Sequence, residues 1–97
     1  MAKGYRITTH KSISDIEKVE AYAKLSGSAI QACGGVYLAS SIAVATYEPG
    51  IKERTILSVF PSVEDAIAAR ETEDYTAALT ALGDGAVREI LIVEGTA

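Results

Sequence analysis

Residues 87–94, VREILIVE, predict a β-strand whose second half has no polar side. Successive side chains of a strand point to opposite faces, so Ile90 and Ile92 point one way and Leu91 and Val93 the other. Residues 54–60, RTILSVF, repeat the pattern, with Ile56 and Phe60 opposing Leu57 and Val59. A strand that is apolar on both sides needs cover on both. Whatever packs on one face of such a sheet, the other face asks for a partner.

Working outward, Gly83-Asp84-Gly85 breaks the chain before this strand. Ahead of it lies a helical region. Ser62 with Asp65 three residues on gives cap chemistry, and Ala66–Ala69 continue as helix. Thr72 restarts the helix, with Tyr75, Ala78, Leu79 and Leu82 on one face. Pro61 ends the strand 54–60 by removing a donor. Glu48-Pro49-Gly50 is turn chemistry and joins that strand to a β-rich stretch, residues 36–47, where Ser40-Ser41 suggests a bend or bulge.

At the other end, residues 4–10, GYRITTH, alternate β-formers Tyr5, Ile7 and Thr9 with Arg6, Thr8 and His10. Ser14 and Glu17 form a capping box. The helix it opens carries Ile16, Val19, Ala23 and Ile30 on one face, with Tyr22 beside them and Gly27 as a weak point. Gly34-Gly35 ends it. The order is β-α-β-β-α-β over residues 1–97, a single ferredoxin-like α+β domain. Its antiparallel four-stranded sheet carries both helices on one face. The first strand is central. The open face would leave roughly several hundred Å² of apolar surface, large for a monomer. A second copy packed sheet to sheet about a two-fold axis covers it, so a homodimer is expected.

Composition narrows the function. The chain has 97 residues, 48% apolar and 23% charged, values of a globular domain. Thirteen acidic residues against nine basic give a net charge of −4, and no two basic residues are adjacent. A nucleic-acid partner needs a basic patch and is not expected; an anionic membrane surface fails the same test. No stretch is long and apolar enough to span a bilayer, and no charged leader with an apolar run is seen, so a cytoplasmic location is expected. One cysteine excludes an intrachain disulfide. One histidine and no paired-ligand spacing argue against a metal site. The glycines follow a helix or precede a strand, so none forms a phosphate loop.

The chemistry-bearing candidates gather on the first strand. Arg6, Thr8 and His10 fall on one face of a central strand, where charges are rarely buried without partners. Either they line a wet cleft, with Arg6 as anchor for an anion or carbonyl group, or Arg6 pairs with a carboxylate across the dimer. His10 titrates nearest neutrality and is the weak candidate for a general base; the plainer reading is a half-exposed strand-end histidine. Tyr22, Tyr37 and Tyr75 lie on elements that pack together, each with an apolar body and a polar tip. The ligand-binding set expected is Arg6, His10, Tyr22 and Tyr37. Tyr47 reads as surface or dimer contact. Cys33 sits at the negative end of a helix dipole, which disfavours a thiolate, and reads as a small packed residue.

Five segments carry a family resemblance, in order along nearly the whole chain: Lys3-Gly4-Tyr5, Gly34-Gly35-Val36-Tyr37-Leu38, Phe60-Pro61-Ser62, Glu73-Asp74-Tyr75 and Val93-Glu94-Gly95. Together they resemble the domain-of-unknown-function 1330 family of small bacterial proteins. The resemblance implies the dimeric α+β barrel superfamily, which includes monooxygenases without cofactors, haem-degrading enzymes, muconolactone isomerases and chlorite dismutases. It attaches no activity to this family. Where the family usually carries a basic residue after the glycine pair, a Gly-Gly kink and an acid before Phe-Pro, this chain has Val36, Ser40-Ser41 and Val59. The family's arginine before the last breaker has no counterpart near Gly83.

Three functions follow as expectations. The first is a homodimer that binds a small polar organic molecule between sheet and helices, without a cofactor. The second is a non-catalytic structural or regulatory dimer. The third is a cofactor-independent enzyme resembling the monooxygenases or isomerases.

Overall fold

The sheet is built around the strand that holds Arg6, Thr8 and His10. In a computed structural model, which describes residues 2–48 and 52–96, the order is β1 (Gly4–Ile13), α1 (Ile16–Ala32), β2 (Val36–Ile42), β3 (Arg54–Phe60), α2 (Val63–Arg70), α3 (Glu73–Leu82) and β4 (Ala86–Glu94). The sheet runs β2-β3-β1-β4, and its three strand pairs are antiparallel. This is the expected ferredoxin-like α+β topology, with the second helical region divided at Glu71-Thr72. No helix among the described residues is long and apolar enough to cross a membrane.

Local chemistry explains the boundaries. Asp15 caps α1, its carboxylate accepting from the N–H groups of Glu17 and Lys18. The expected cap Ser14 lies one residue too early; its hydroxyl donates instead to the Asp84 carbonyl. Ser62 accepts from the Asp65 N–H at the start of α2, and Thr72 from the Tyr75 N–H at the start of α3, as their sequence predicts. Helix α1 ends in paired bonds, Gly34 N–H to the Gln31 carbonyl and Gly35 N–H to the Ile30 carbonyl. This is the Schellman closure, with Gly34 at φ +82° where side chains are strained.

Several expectations shift. Strand β1 runs on to Ile13 past an irregularity between His10 and Ser12, so His10 is not a strand end. Strand β2 stops at Ile42 rather than residue 47, and its bulge falls between Tyr37 and Ala39 rather than at Ser40-Ser41. Pro49 and Gly50 of the expected turn lie outside the described residues. On α1 the buried face is Val19, Tyr22, Ser26, Ala29 and Ile30; Ile16 and Ala23 are exposed, and Tyr22 stands at the centre rather than beside the stripe.

The helices cover the face that carries Gly4, Arg6, Thr8 and His10, all buried, while the alternating Tyr5, Ile7 and Thr9 are only half-buried. Two apolar clusters hold the layers together. One joins α1 to α3 through Val19, Tyr22, Ala29, Tyr75, Ala78 and Leu82. The other packs Ile30, Phe60, Ala66 and Ala69, with half-buried Cys33 and Ile92 against it. Beyond them, under the N-terminal half of α1, the sheet presents polar residues to the interior. That is where a cavity lies.

Candidate functional site

The strand register assembles the site. On the helix-facing side of β1, Arg6 lies opposite Ser58 of β3 and Ile92 of β4, Thr8 opposite Ile56 and Ile90, and His10 opposite Arg88. Alternation therefore brings Arg6, Thr8, His10, Ser58 and Arg88 to one face, beneath α1. Four of them are buried outright: Arg6, Thr8, His10 and Ser58. Such burial of polar side chains is costly unless partners are found.

Arg6 finds tyrosines rather than a carboxylate. Its Nη2 donates to the Tyr75 hydroxyl and, at 3.4 Å, to the Tyr22 hydroxyl. The two hydroxyls are bonded to each other. The Arg6 guanidinium also lies 5.3 Å from the Tyr75 ring centroid, and Arg88 lies 4.3 Å from that of Tyr22, both within cation–π range. Within the chain, the partners of Arg6 are thus a pair of phenols.

These contacts set the acidities. Burial pushes Tyr22 up, but the Arg6 guanidinium, the bond to Tyr75 and Arg88 outweigh it, leaving the phenol below its ordinary value of 10.0. Burial pushes Tyr75 up, and its neighbour Tyr22 adds to the rise against Arg6. The pair is therefore asymmetric, with Tyr22 the more acidic member. Tyr37 is raised, chiefly by burial. His10 falls below 6.5 because burial disfavours its cation; hydrogen bonding to the Arg54 backbone resists the fall, and the charges of Arg88 and Arg54 add to it. The ring is accordingly neutral near pH 7.

A cavity of about 820 Å³ opens between sheet and α1. Arg6, His10, Tyr22 and Tyr37, the four residues expected to bind a ligand, all line it. Strand β2 contributes Tyr37, Ser40 and Ile42, β3 Arg54 and Ile56, β4 Arg88, and α1 Ile16, Val19, Glu20, Ala23, Ser26 and Gly27. His10 is buried in its wall, not half-exposed. Four buried side-chain atoms of the described residues have no hydrogen-bond partner: Thr8 Oγ1, His10 Nδ1, Ser58 Oγ and Arg88 Nη1. Tyr75 holds Arg6 from outside the lining, and Tyr47 stands on the surface, 83% exposed. Among the described residues no three His, Cys, Asp or Glu side chains converge as metal ligands.

The sequence reading missed Tyr75 and Arg88 as site members. Tyr75 groups with Tyr22 and Tyr37 as a packed tyrosine with a polar tip but falls outside the expected ligand-binding set, since its tie to Arg6 joins positions 69 residues apart. Arg88 carried a usable signal: once β1 and β4 are paired antiparallel, the register sets it against His10.

The family model described as Domain of unknown function (DUF1330) matches residues 3–96. The chain belongs to this family. No curated protein is similar enough to match it. Among solved structures, this DUF1330 chain is similar to a protein of unknown function from Rhodopseudomonas palustris, with TM-score 0.78 and 14% identity over 99% of this chain and 84% of that one. It is similar to SnoaB, a cofactor-independent oxygenase from Streptomyces nogalater, at TM-score 0.62 and 9% identity over 99% and 94% of the two chains. A third is a dimeric protein of unknown function and ferredoxin-like fold from Bacteroides fragilis, at TM-score 0.55 and 14% identity over 95% of each chain. At such identities the likeness establishes the ferredoxin-like fold of this DUF1330 chain and nothing beyond the fold.

Proposed function

We propose that this protein binds a small polar organic molecule in the cavity between sheet and helices, and that it works as a homodimer joined through the open sheet face. One observation carries the ligand: Arg6, His10, Tyr22 and Tyr37 line a single cavity whose wall also holds unpartnered buried polar atoms of Thr8, His10 and Arg88. Its volume, about 820 Å³, lies within the range of small-molecule sites. An unpaired buried polar group costs about 1–3 kcal/mol, and a polar ligand would supply partners to several at once. The dimer is supported by the uncovered face of the sheet, where Val87, Leu91 and Val93 stand exposed beside half-buried Ile7, Leu57 and Val59, and by the Bacteroides fragilis neighbour, which is described as dimeric.

Native mass spectrometry on protein purified gently from its own host tests both parts. A dimer carrying a reproducible small adduct is expected. A bare dimer, prepared so, turns the weight to a structural or regulatory role; a monomer removes the sheet-to-sheet argument.

A second reading, turnover without a cofactor, is what the name of the Streptomyces nogalater neighbour says of that protein. It is favoured here by Tyr22, whose hydroxyl is hydrogen-bonded to that of Tyr75 and accepts from Arg6, and is made more acidic there. Such a phenol is suited to exchange a proton with a bound molecule. Incubating the protein with its co-purified ligand in air decides the matter: an unchanged ligand rules turnover out, and a changed one must cease to change in Tyr22→Phe.

A further inference from the structure

We infer that the molecule taken by this cavity is an organic carboxylate on an apolar body, with its charge seated against Arg88. The inference rests on the ligand-binding reading above and names the ligand's chemistry.

The first argument is charge. The chain as a whole is acidic, with a net charge of −4. The cavity wall reverses that balance: Arg6, Lys52, Arg54 and Arg88 line it, against Glu20 alone. A neutral ligand gives no reason to gather four cations on one wall of an acidic protein. Fields of one sign in a low-dielectric cleft concentrate ligands of the other.

The second argument selects the anchor. Arg6 is engaged with the hydroxyls of Tyr22 and Tyr75. Lys52 and Arg54 are exposed and stand at the rim. Arg88 is different. Its guanidinium lies 4.3 Å from the Tyr22 ring centroid, and its Nη1 is buried without a partner. Arg88 also helps to make the Tyr22 hydroxyl more acidic, yet its Nη1 is left without an acceptor, and carboxylates are the acceptors that match a guanidinium fork. Thr8 Oγ1, also buried and unpartnered, lies on the same sheet face and can donate to the same group. His10, directly across the strand pair from Arg88, is held neutral and so adds no competing charge.

The third argument gives the rest of the molecule. Ile13, Ile16, Val19, Ala23, Ile42 and Ile56 supply an apolar wall, which fits a hydrocarbon or aromatic body. A phosphate fits less well. The first free N–H groups of α1 are taken by its own cap Asp15, so the helix offers no backbone cradle.

Titration calorimetry at low salt, with 2-naphthoate and its neutral analogue 2-naphthamide as probes, tests this on the unaltered protein. The acid should bind about tenfold or more tightly than the amide. Arg88→Gln should remove that preference while leaving amide binding in place, and Arg88→Lys should restore part of it. Equal binding of acid and amide to the unaltered protein overturns the inference and leaves the cavity reading standing. Equal weakening of both probes by Arg88→Gln makes Arg88 a structural residue and overturns its assignment as anchor. No binding of either probe at millimolar concentration overturns the inference too; the native adduct measurement then judges the wider reading separately. Should Arg88→Gln fail to fold, the acid–amide comparison and Arg88→Lys still decide.

Discussion

Tyr22 and Tyr75 meet edge to face, their ring centroids 5.8 Å apart and their planes at 87°, with their hydroxyls hydrogen-bonded to each other. The contact ties α1 to α3 directly above β1. Arg6 rises from the strand to complete it. The aromatic bodies belong to the apolar cluster, while the tips form a polar knot next to the cavity. One pair of side chains thus serves both the packing of the helix layer and the wall of the site.

Removing one hydroxyl shows what the knot contributes. Tyr75→Phe keeps the ring and its edge-to-face contact but leaves Arg6 Nη2 and the Tyr22 hydroxyl without their shared partner. A buried group left so costs about 1–3 kcal/mol. Urea unfolding should show a loss of that size with an unchanged m-value. An unchanged midpoint would mean that Arg6 and Tyr22 are satisfied elsewhere.

Gly35 predicts a loss of a different kind. A Cβ there would stand 2.5 Å from Ile30 Cγ2, 2.7 Å from Phe60 Cε2 and 2.9 Å from the Ile30 carbonyl. Ile30 and Phe60 are both fully packed in the second cluster, so neither can yield without disturbing others. Gly35→Ala should destabilise by roughly 1–3 kcal/mol, the usual range for overpacking. Gly27→Ala is the matched contrast: nothing lies within 4 Å, and alanine favours the helix by about 1 kcal/mol. Thermal unfolding of the two variants should move in opposite directions.

The sequence carried the topology because that rests on local signals. The caps at Ser62 and Thr72 and the glycine pair after α1 mark three helix ends within a few residues each. The alternation of Arg6, Thr8 and His10 correctly put them on one face. What the sequence could not carry was depth. His10 reads as a strand end because β-formers stop there, yet β1 continues past an irregularity and buries the ring. Tyr75 stays outside the expected ligand-binding set because nothing local links it to Arg6. Such contacts come from tertiary packing, to which periodicity is blind.

Burial of His10 makes stability depend on pH. Groups facing the ring are Arg88 from β4, Arg54 from β3, and Glu53 just before β3, with Glu20 of α1 on the same cavity wall. Burial first, then the two arginines, hold its pKa below the 6.5 of an exposed histidine. Above that value the ring is neutral in both folded and unfolded chains, and the contribution is constant. As pH falls through 6.5 the unfolded chain takes up the proton more readily than the folded one. Stability therefore drops with pH in that window. The urea midpoint should fall between about pH 7 and pH 5, and His10→Gln should flatten the decline. A His10→Gln profile parallel to that of the unaltered chain would show that the ring titrates freely in the fold.

The uncovered sheet face yields the prediction with the plainest readout. Leu91 is 56% exposed at the middle of β4, on the face turned away from the helices, between Ile7 of β1 and the sheet edge. In a two-fold dimer through that face any substitution enters the interface twice. Leu91→Arg would bring two guanidinium groups into an apolar contact, where Glu89, two residues along the same strand face, is already 3.5 Å from Lys11. Burying an unpaired charge is far more costly than the leucine contact it replaces. In the isolated chain the same arginine would simply reach solvent. Leu91→Arg should therefore be a folded monomer by light scattering at micromolar concentration, where the unaltered protein should be a dimer. Ile67→Arg, at an exposed position on the helix layer, should leave the dimer intact. Reversal of that pattern, with Ile67→Arg dissociating the protein and Leu91→Arg not, would move the interface from the sheet to the helices.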